Sequence, residues 1–347
     1  MRITFVLPGW SRKPNGGYKV VYEYCNELAK RGNQVTVVHT AEFVSPVTVN
    51  YIKTAVKKLW GLSWLDMHGE VSLTVVPRLD NSTVPDSDII VATAYNTAFP
   101  VYRLSKAKGE KYYFIQHYEI WSGDKYTVDQ TWLLPLRKIV IAKWLEQKAS
   151  ELGTAVYGYV PNGIDHNKFQ VRVSPSKRYS HSVAMMWHES EWKGSRDGIE
   201  ILKNVKETFS DLQVTFFSVY EPPLDLPSWI EFVKDPSLEE LVDIYNSHAV
   251  FLWTSYSEGW GLPPVEAMAC GACLVSTANN GVQEYAIDME NSRLAPVYDV
   301  NQLQSSLEAV LNDSRLRIRL ALQGIKDTTR FSNASSTEKL LGYFQCK

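Results

Sequence analysis

A run of five apolar residues, Ala249-Val250-Phe251-Leu252-Trp253, leads into Ser257-Glu258-Gly259-Trp260-Gly261-Leu262-Pro263-Pro264-Val265-Glu266-Ala267-Met268-Ala269. The run reads as a buried strand. Pro263 or Pro264 suits the first turn of a helix, where no backbone donor is needed. Between strand and helix lie Gly259 and Gly261, and two acids, Glu258 and Glu266, flank them with seven residues in between. A strand, a glycine-bearing turn and a helix start leave free N–H groups pointing outward, which makes a place for an anion. An acid on each side favours a ligand that carries hydroxyls beside its anion. A sugar nucleotide is such a ligand.

The chain before this stretch repeats a strand–loop–helix theme. Ile3 to Leu7 reads as a first strand, followed by a loop from Pro8 to Gly17, a helix with Val20, Val21, Tyr24, Leu28 and Ala29 on one face, and a strand from Gln34 to His39. A strand–helix–strand unit predicts a parallel sheet with a right-handed crossover. The Gly16-Gly17 pair lacks the third glycine of the dinucleotide fingerprint, yet two glycines just before a helix let backbone approach a ligand closely. His117 falls at the carboxyl end of the strand that starts at Lys111. A helix is expected near Lys138 to Ser150, a strand from Ala155 to Val160, and a turn at Pro161-Asn162-Gly163-Ile164-Asp165. The polar stretch Gln170 to Ser180 reads as the linker between two domains.

The second half restarts the pattern. A strand at His181 to Trp187 is followed by a loop with Lys193-Gly194, a helix at Asp197 to Glu207, strands at Gln213 to Ser218 and near Trp229 to Val233, and a helix at Ser237 to Asn246. Beyond the two-acid stretch come a strand at Ala272 to Thr277, a turn at Asn279 to Tyr285, and helices near 300–312, 314–327 and 335–344.

With 347 residues the chain suits two domains. A formal net charge of -2 offers nucleic acid no attracting field. Cys270 and Cys273 have Cys-x-x-Cys spacing without a second ligand pair, so reduced thiols and a cytoplasmic protein are expected. The apolar run at Ile3 to Leu7 is too short for a secretion signal. No segment has the roughly 18 uninterrupted apolar residues of a membrane span. Residues 50–68 mix Lys53, Lys57 and Lys58 with Val56, Leu59, Trp60, Leu62, Trp64 and Leu65. Such a stretch can lie on the inner face of a membrane as a peripheral contact. The favoured reading is a helix packed on its own sheet with solvated lysines. Asp86-Ser87-Asp88 precedes a strand rather than following one, so it reads as a polar strand entry and not as a metal site.

In this order the motifs resemble the family-4 retaining glycosyltransferases of the GT-B fold. The residues that carry the likeness are Gly16-Gly17, His117, Pro161-Asn162-Gly163-Ile164-Asp165, Lys193-Gly194, the Glu258-to-Glu266 spacing and Phe331-Ser332. The resemblance implies an α/β chain of two Rossmann-like domains with parallel sheets facing a central cleft. The acceptor domain would be 1–170, the nucleotide-sugar donor domain 171–328, and a C-terminal helix in 329–347 would cross back to the first domain. It implies catalytic roles for His117, Glu258 and Lys193. It also implies donor contacts at Gly16, Gly17, Asn162, His188, Lys193, Glu258, Gly259, Trp260, Gly261, Leu262 and Glu266. Glu266 would take ribose hydroxyls, Glu258 the transferred sugar, and Lys193 the diphosphate. No metal or other cofactor is implied, since Lys193 and the helix start would stabilise the leaving charge. The implied partners are a nucleotide-sugar donor and a glycan or lipid-linked acceptor.

Two departures stand out. The family often has an arginine where this chain has His188, and histidine lacks the guanidinium fork and is mostly neutral near pH 7. Arg196 is a candidate substitute cation. A glycine often found near Asp235-Pro236 is also absent. Two other functions fit the same residues. A nucleotide-sugar epimerase would alter the donor with no acceptor present, and a non-catalytic module would bind the donor without turnover.

Overall fold

The computed structural model describes residues 1–11, 13–59 and 64–346. Trp60 and Leu62 of the basic, apolar stretch lie outside the described residues. The chain divides into two compact units, Met1–Gly163 with Asn333–Lys347, and Ile164–Ser332.

The first unit runs β1 (Arg2–Leu7), α1 (Gly16–Lys30), β2 (Gln34–Thr40), α2 (Val47–Leu59), β3 (Val71–Val76), β4 (Ile89–Ala92), α3 (Tyr95–Arg103), β5 (Glu110–Ile115), α4 (Lys125–Leu133), β6 (Arg137–Val140), α5 (Lys143–Glu151) and β7 (Gly158–Tyr159). Its seven strands are parallel in the order β3-β2-β1-β4-β5-β6-β7. Strands buried on both faces must be apolar nearly throughout, and Ile3, Phe5, Val6, Ile90, Val91, Phe114 and Ile115 are each at most 1% exposed.

The second unit runs β8 (Tyr179–Met186), α6 (Ser195–Thr208), β9 (Gln213–Ser218), β10 (Ile230–Lys234), α7 (Leu238–Ser247), β11 (His248–Trp253), α8 (Leu262–Ala269), β12 (Cys273–Thr277), β13 (Ser292–Ala295), α9 (Val300–Asn312) and α10 (Ser314–Thr328). Six parallel strands follow the order β10-β9-β8-β11-β12-β13. Val183, Met185, Val250, Leu252, Cys273 and Val275 from the sheet join Ile199, Leu202, Leu307 and Leu320 from the helices in one core. The last helix, α11 (Asn333–Gln345), belongs to the first unit. It buries Leu340 and Phe344, Tyr112 donates from its hydroxyl to the Tyr343 carbonyl at 3.0 Å, and Arg137 donates to the Cys346 carbonyl at 3.1 Å.

Several expectations need correction. The chain passes between units at Gly163 and Ile164, not at 170/171. The stretch expected to be a linker is bound into the second unit. Arg172 pairs with Asp243 at 2.9 Å and with Glu239. The Arg172 and Val173 amides donate to the Asn246 side chain. The buried Arg178 guanidinium donates to the carbonyls of Val173, Tyr245, His248 and Cys270. The helix expected near Lys138 begins five residues later, because Lys138-Ile139-Val140 pairs with β5 as a strand. Gly16 and Gly17 are the first two residues of α1 rather than its preceding loop, with Asn15 as the cap. Helix α2 does lie against β3 with Lys53 and Lys58 exposed, as favoured, but Ile52 and Val56 also face outward, 57% and 48% exposed. Trp64 just beyond it does pack inward, on Tyr22 at a centroid distance of 5.9 Å.

Asp86 and Asp88 stand at the amino end of β4, where Asp86 pairs with Lys108 at 2.7 Å and Asp88 with Arg2 at 2.9 Å. Cys25, Cys270 and Cys273 are buried free thiols. Among the described residues no helix is long and apolar enough to cross a membrane.

Candidate active site

The strand order of the second sheet reverses direction between β8 and β11. Ligands of open parallel sheets gather beyond the carboxyl ends of the strands at such a switch point. The loop after β8 carries His188 and Lys193, and the loop after β11 carries Glu258. The two loops are stitched together. The Tyr256 amide donates to the Trp192 carbonyl at 2.7 Å, and the Thr254 hydroxyl donates to the Lys193 carbonyl at 2.9 Å. Gly194 makes this approach possible: its φ is +60°, and a Cβ there would stand 2.3 Å from the Thr254 carbonyl oxygen. Only glycine combines that backbone conformation with that proximity.

The result is an ion pair between Lys193 Nζ and Glu258 Oε1 at 2.6 Å, with side chains 18% and 11% exposed. Nζ also lies 5.6 Å from the centre of the Trp253 ring. A charge-assisted hydrogen bond this sheltered is stronger than an exposed pair. It holds a cation and a carboxylate at fixed positions above the sheet.

His188 is not a cation here. Burial, followed by the nearby Lys193 charge, pushes its pKa down to about 4 against a partial upward pull from Glu258. Its Nδ1 accepts the Ser190 amide at 3.0 Å, so that nitrogen is unprotonated, and the ring packs edge-on against Tyr220 at 4.7 Å. Arg196, the candidate substitute cation, is already engaged by Asp225. Its guanidinium holds Asp225 through Nη1 contacts of 2.5 and 2.7 Å and lies over the Trp187 ring. Asp235 takes φ +49°, so an aspartate adopts the left-handed conformation near the position where the family's glycine was missed.

Helix α8 opens at Gly261 with no side-chain cap, with Leu262 as its first residue and Pro263 behind it. Pro263 and Pro264 carry no N–H, so the backbone donors this helix start can offer a ligand are those of Gly261 and Leu262. Glu266 sits one turn further, 3% exposed, with the Tyr245 hydroxyl 3.4 Å from Oε2. Gly259 is buried in the loop. Trp260 is 2% exposed and packs between Tyr285 at 5.0 Å and Phe331 at 5.3 Å. Its indole N–H is buried without an acceptor among the described residues.

Sequence reasoning missed the residues that brace this loop. The Tyr285 hydroxyl donates to the Gly261 carbonyl at 2.7 Å, and the Asn279 amide donates to the Ser255 carbonyl at 3.0 Å. Gly281 lies so close that a Cβ would be 2.8 Å from both Glu258 Cβ and the Trp260 amide nitrogen. The available signal was the Asn-Asn-Gly run after β12, read only as a turn.

In the first unit, Gly17 and His117 are neighbours by way of Gln116, whose side-chain amide donates to the Gly17 carbonyl at 3.0 Å. The His117 ring meets Trp121 edge-on at 4.3 Å and Trp144 at 5.2 Å. Glu119, not foreseen, accepts the Tyr95 amide at 2.6 Å and so caps α3, which has no side-chain cap of its own. Burial pushes its pKa up to about 7. Asn162 is 3% exposed, and its side-chain oxygen is buried without a donor among the described residues.

Two doubly wound parallel α/β units of this kind define a GT-B architecture. Over the whole chain the fold is similar to that of sucrose-phosphate synthase from Thermosynechococcus elongatus, with a TM-score of 0.76 and 14% identity, covering 99% of this chain and 98% of that one. It is likewise similar to HepE from Anabaena, solved in complex with UDP-glucose, with a TM-score of 0.74, 14% identity, and coverage of 99% and 98%.

In sequence, residues 224–327 match the family model described as glycosyl transferases group 1. Among curated proteins, the chain is similar to a D-inositol 3-phosphate glycosyltransferase of Stackebrandtia nassauensis, 27% identical over 121 residues. That match takes in 35% of this chain and spans 27% of that relative's length. The group 1 sequence pattern therefore lies in the second unit and includes the two-acid stretch, while the GT-B likeness extends over both units.

Proposed function

We propose that this chain is a retaining glycosyltransferase that moves a hexose or deoxyhexose from a nucleotide-diphosphate sugar to a glycan or lipid-linked acceptor, in the synthesis of a polysaccharide or glycoconjugate. The observation that carries the reading is the sheltered Lys193–Glu258 pair, 2.6 Å apart, on loops that follow β8 and β11. It stands within the unit that bears the group 1 sequence pattern. That HepE was solved with UDP-glucose supports a donor of the same chemical kind.

In this reading the diphosphate meets the uncapped start of α8, where N–H groups and the helix dipole favour negative charge. Lys193 adds the one permanent cation assigned to it. Charge that develops on the leaving diphosphate is stabilised by groups already in position, which is the main source of rate in such chemistry. Glu258 exchanges part of its bond to Lys193 for the hydroxyls of the transferred sugar, and Glu266 takes the ribose hydroxyls. Transfer then runs without a metal ion, and a chelator leaves turnover unchanged.

The test is incubation with a panel of nucleotide sugars, with and without glycan acceptors, followed by analysis of the sugar and its anomeric configuration. Transfer with retained configuration supports the proposal. Epimerised donor in the absence of acceptor, or binding with neither transfer nor hydrolysis, contradicts it.

A further inference from the structure

Tyr298 stands where a tyrosine is costly. It is the third residue of a turn closed by the Asp299 amide, which donates to the Pro296 carbonyl at 3.1 Å, and its φ is +69°. That place in a turn, at positive φ, suits glycine or asparagine, and a bulky side chain held there stores strain. Burial does not offset the strain, because Tyr298 is 73% exposed. Its ring rests on that of Tyr256, at a centroid distance of 4.3 Å and a tilt of 44°. Tyr256 is itself braced. Its hydroxyl donates to Asp197 Oδ2 at 2.5 Å, its amide donates to the Trp192 carbonyl, and its ring lies 3.1 Å from where a Cβ on Gly194 would stand. An exposed ring is thus carried on a fixed one, beside a carboxylate, in the loops that follow β11 and β13.

We propose that Tyr298 and Tyr256 form a saccharide subsite that takes a pyranose ring of the glycan acceptor. One face of a pyranose presents C–H groups that lie flat on an aromatic ring, while its hydroxyls reach the phenol and the carboxylate beside it. The sheet decides between this ligand and the nucleotide. Right-handed crossovers put α6 and α9 on one face of the second sheet and α7 and α8 on the other, and Asn204 of α6 donates to Gln304 of α9 at 3.0 Å. Asp197 belongs to α6 and Tyr298 leads into α9, whereas Glu266 belongs to α8 and its neighbour Tyr245 to α7. The ribose place proposed at Glu266 is therefore toward the opposite face from the tyrosine pair. Tyr256 stands two residues before Glu258, the group assigned to the transferred sugar. What reaches Tyr298 comes from beyond that sugar, as an acceptor does. Assigning the saccharide to an acceptor rests on the proposed transfer; the stacking does not.

The experiment is saturation-transfer NMR of the full chain with millimolar methyl glycosides of glucose, mannose, galactose, rhamnose and N-acetylglucosamine, with no nucleotide present. At least one should bind wild type, with the strongest saturation on the C–H groups of one ring face. Tyr298→Ala and Tyr298→Gly should each weaken that binding about tenfold, and Tyr298→Phe should retain it. Thermal unfolding supplies a readout that a packing role would move the other way. Tyr298→Gly relieves the strain that Tyr298→Ala keeps, so its midpoint should lie about 2 °C above that of the alanine variant and no lower than that of wild type. The proposal is overturned if no glycoside binds wild type, if the glycine variant binds as wild type does, or if that variant melts well below wild type. It is equally overturned if Tyr298→Gly weakens calorimetric binding of a nucleotide sugar while the glycosides bind unchanged, since the pair would then serve the donor. Glycoside binding is measured without a donor, and donor binding without a glycoside, so this reading and the proposed transfer can fail separately.

Discussion

Lys193 and Glu258 each leave the other stranded when one is removed, because the pair is sheltered rather than solvated. Breaking a buried pair costs about 3–5 kcal/mol. With side chains still 18% and 11% exposed, the lower end applies, so Lys193→Met should lower the free energy of unfolding by about 3 kcal/mol. Adding Glu258→Gln should recover much of that, and urea titration of the three proteins checks it. The histidines add a pH dependence of definite sign. His188 and His39 are held down to about 4 from 6.5, in both cases chiefly by burial. Their unfolded forms take up protons first, so their contribution is complete above pH 6.5 and is lost as the pH falls toward 4. Glu119, raised to about 7, works in the opposite sense. The clean readout is therefore the difference between wild type and His188→Asn, which should shrink the urea-midpoint loss between those pH values. An unchanged loss would contradict the assignment. The sequence already showed that His188 could not be a guanidinium fork. It could not show that Ser190 and Tyr220 lock the ring as neutral, since those contacts depend on how the loop closes.

At the scale of elements, the loops after β8 and β11 act as one unit joined through Gly194. Gly194→Ala adds a Cβ within 2.3 Å of the Thr254 carbonyl, at a φ of +60°. It should cost about 2 kcal/mol or more of stability and weaken donor binding with it, because Lys193 is the adjacent residue. Thermal unfolding and a donor titration on the same protein test both halves. Most elements were legible because their signals are local. Pro263 and Pro264 do stand in the first turn of α8, and α7 starts within one residue of the expected Ser237, which caps it by accepting from the Glu240 amide. Those that were missed depend on distant partners. β6 is four residues long and includes a lysine; it becomes a strand because Phe114 and Ile115 lie alongside Ile139 and Val140. The supposed linker at 170–180 is fixed by Asn246 and by carbonyls around Arg178, which no local pattern reveals.

For the molecule as a whole, the return of α11 to the first unit means that the chain's end stabilises its beginning. Truncation after Ser332 removes the buried Leu340 and Phe344 and the Tyr343 acceptor of Tyr112. Hydrogen exchange should then accelerate in β5, β6 and β7 and stay unchanged in β8 and β11. The two-unit architecture was readable from the restart of the strand–helix pattern, while its crossing point at Gly163 was not, because the turn there and the polar stretch after it carry equally plausible boundary signals. The central claim is that the second unit binds a nucleotide-diphosphate sugar beyond the carboxyl ends of β8 and β11. Calorimetric titration of a panel of nucleoside diphosphates and their sugars into wild type, Lys193→Ala and Glu266→Ala tests it most directly. The account predicts that at least one donor binds wild type and that each variant weakens it about tenfold or more, the loss of one charge-assisted contact. A panel in which nothing binds, or a donor bound equally by all three proteins, would contradict it.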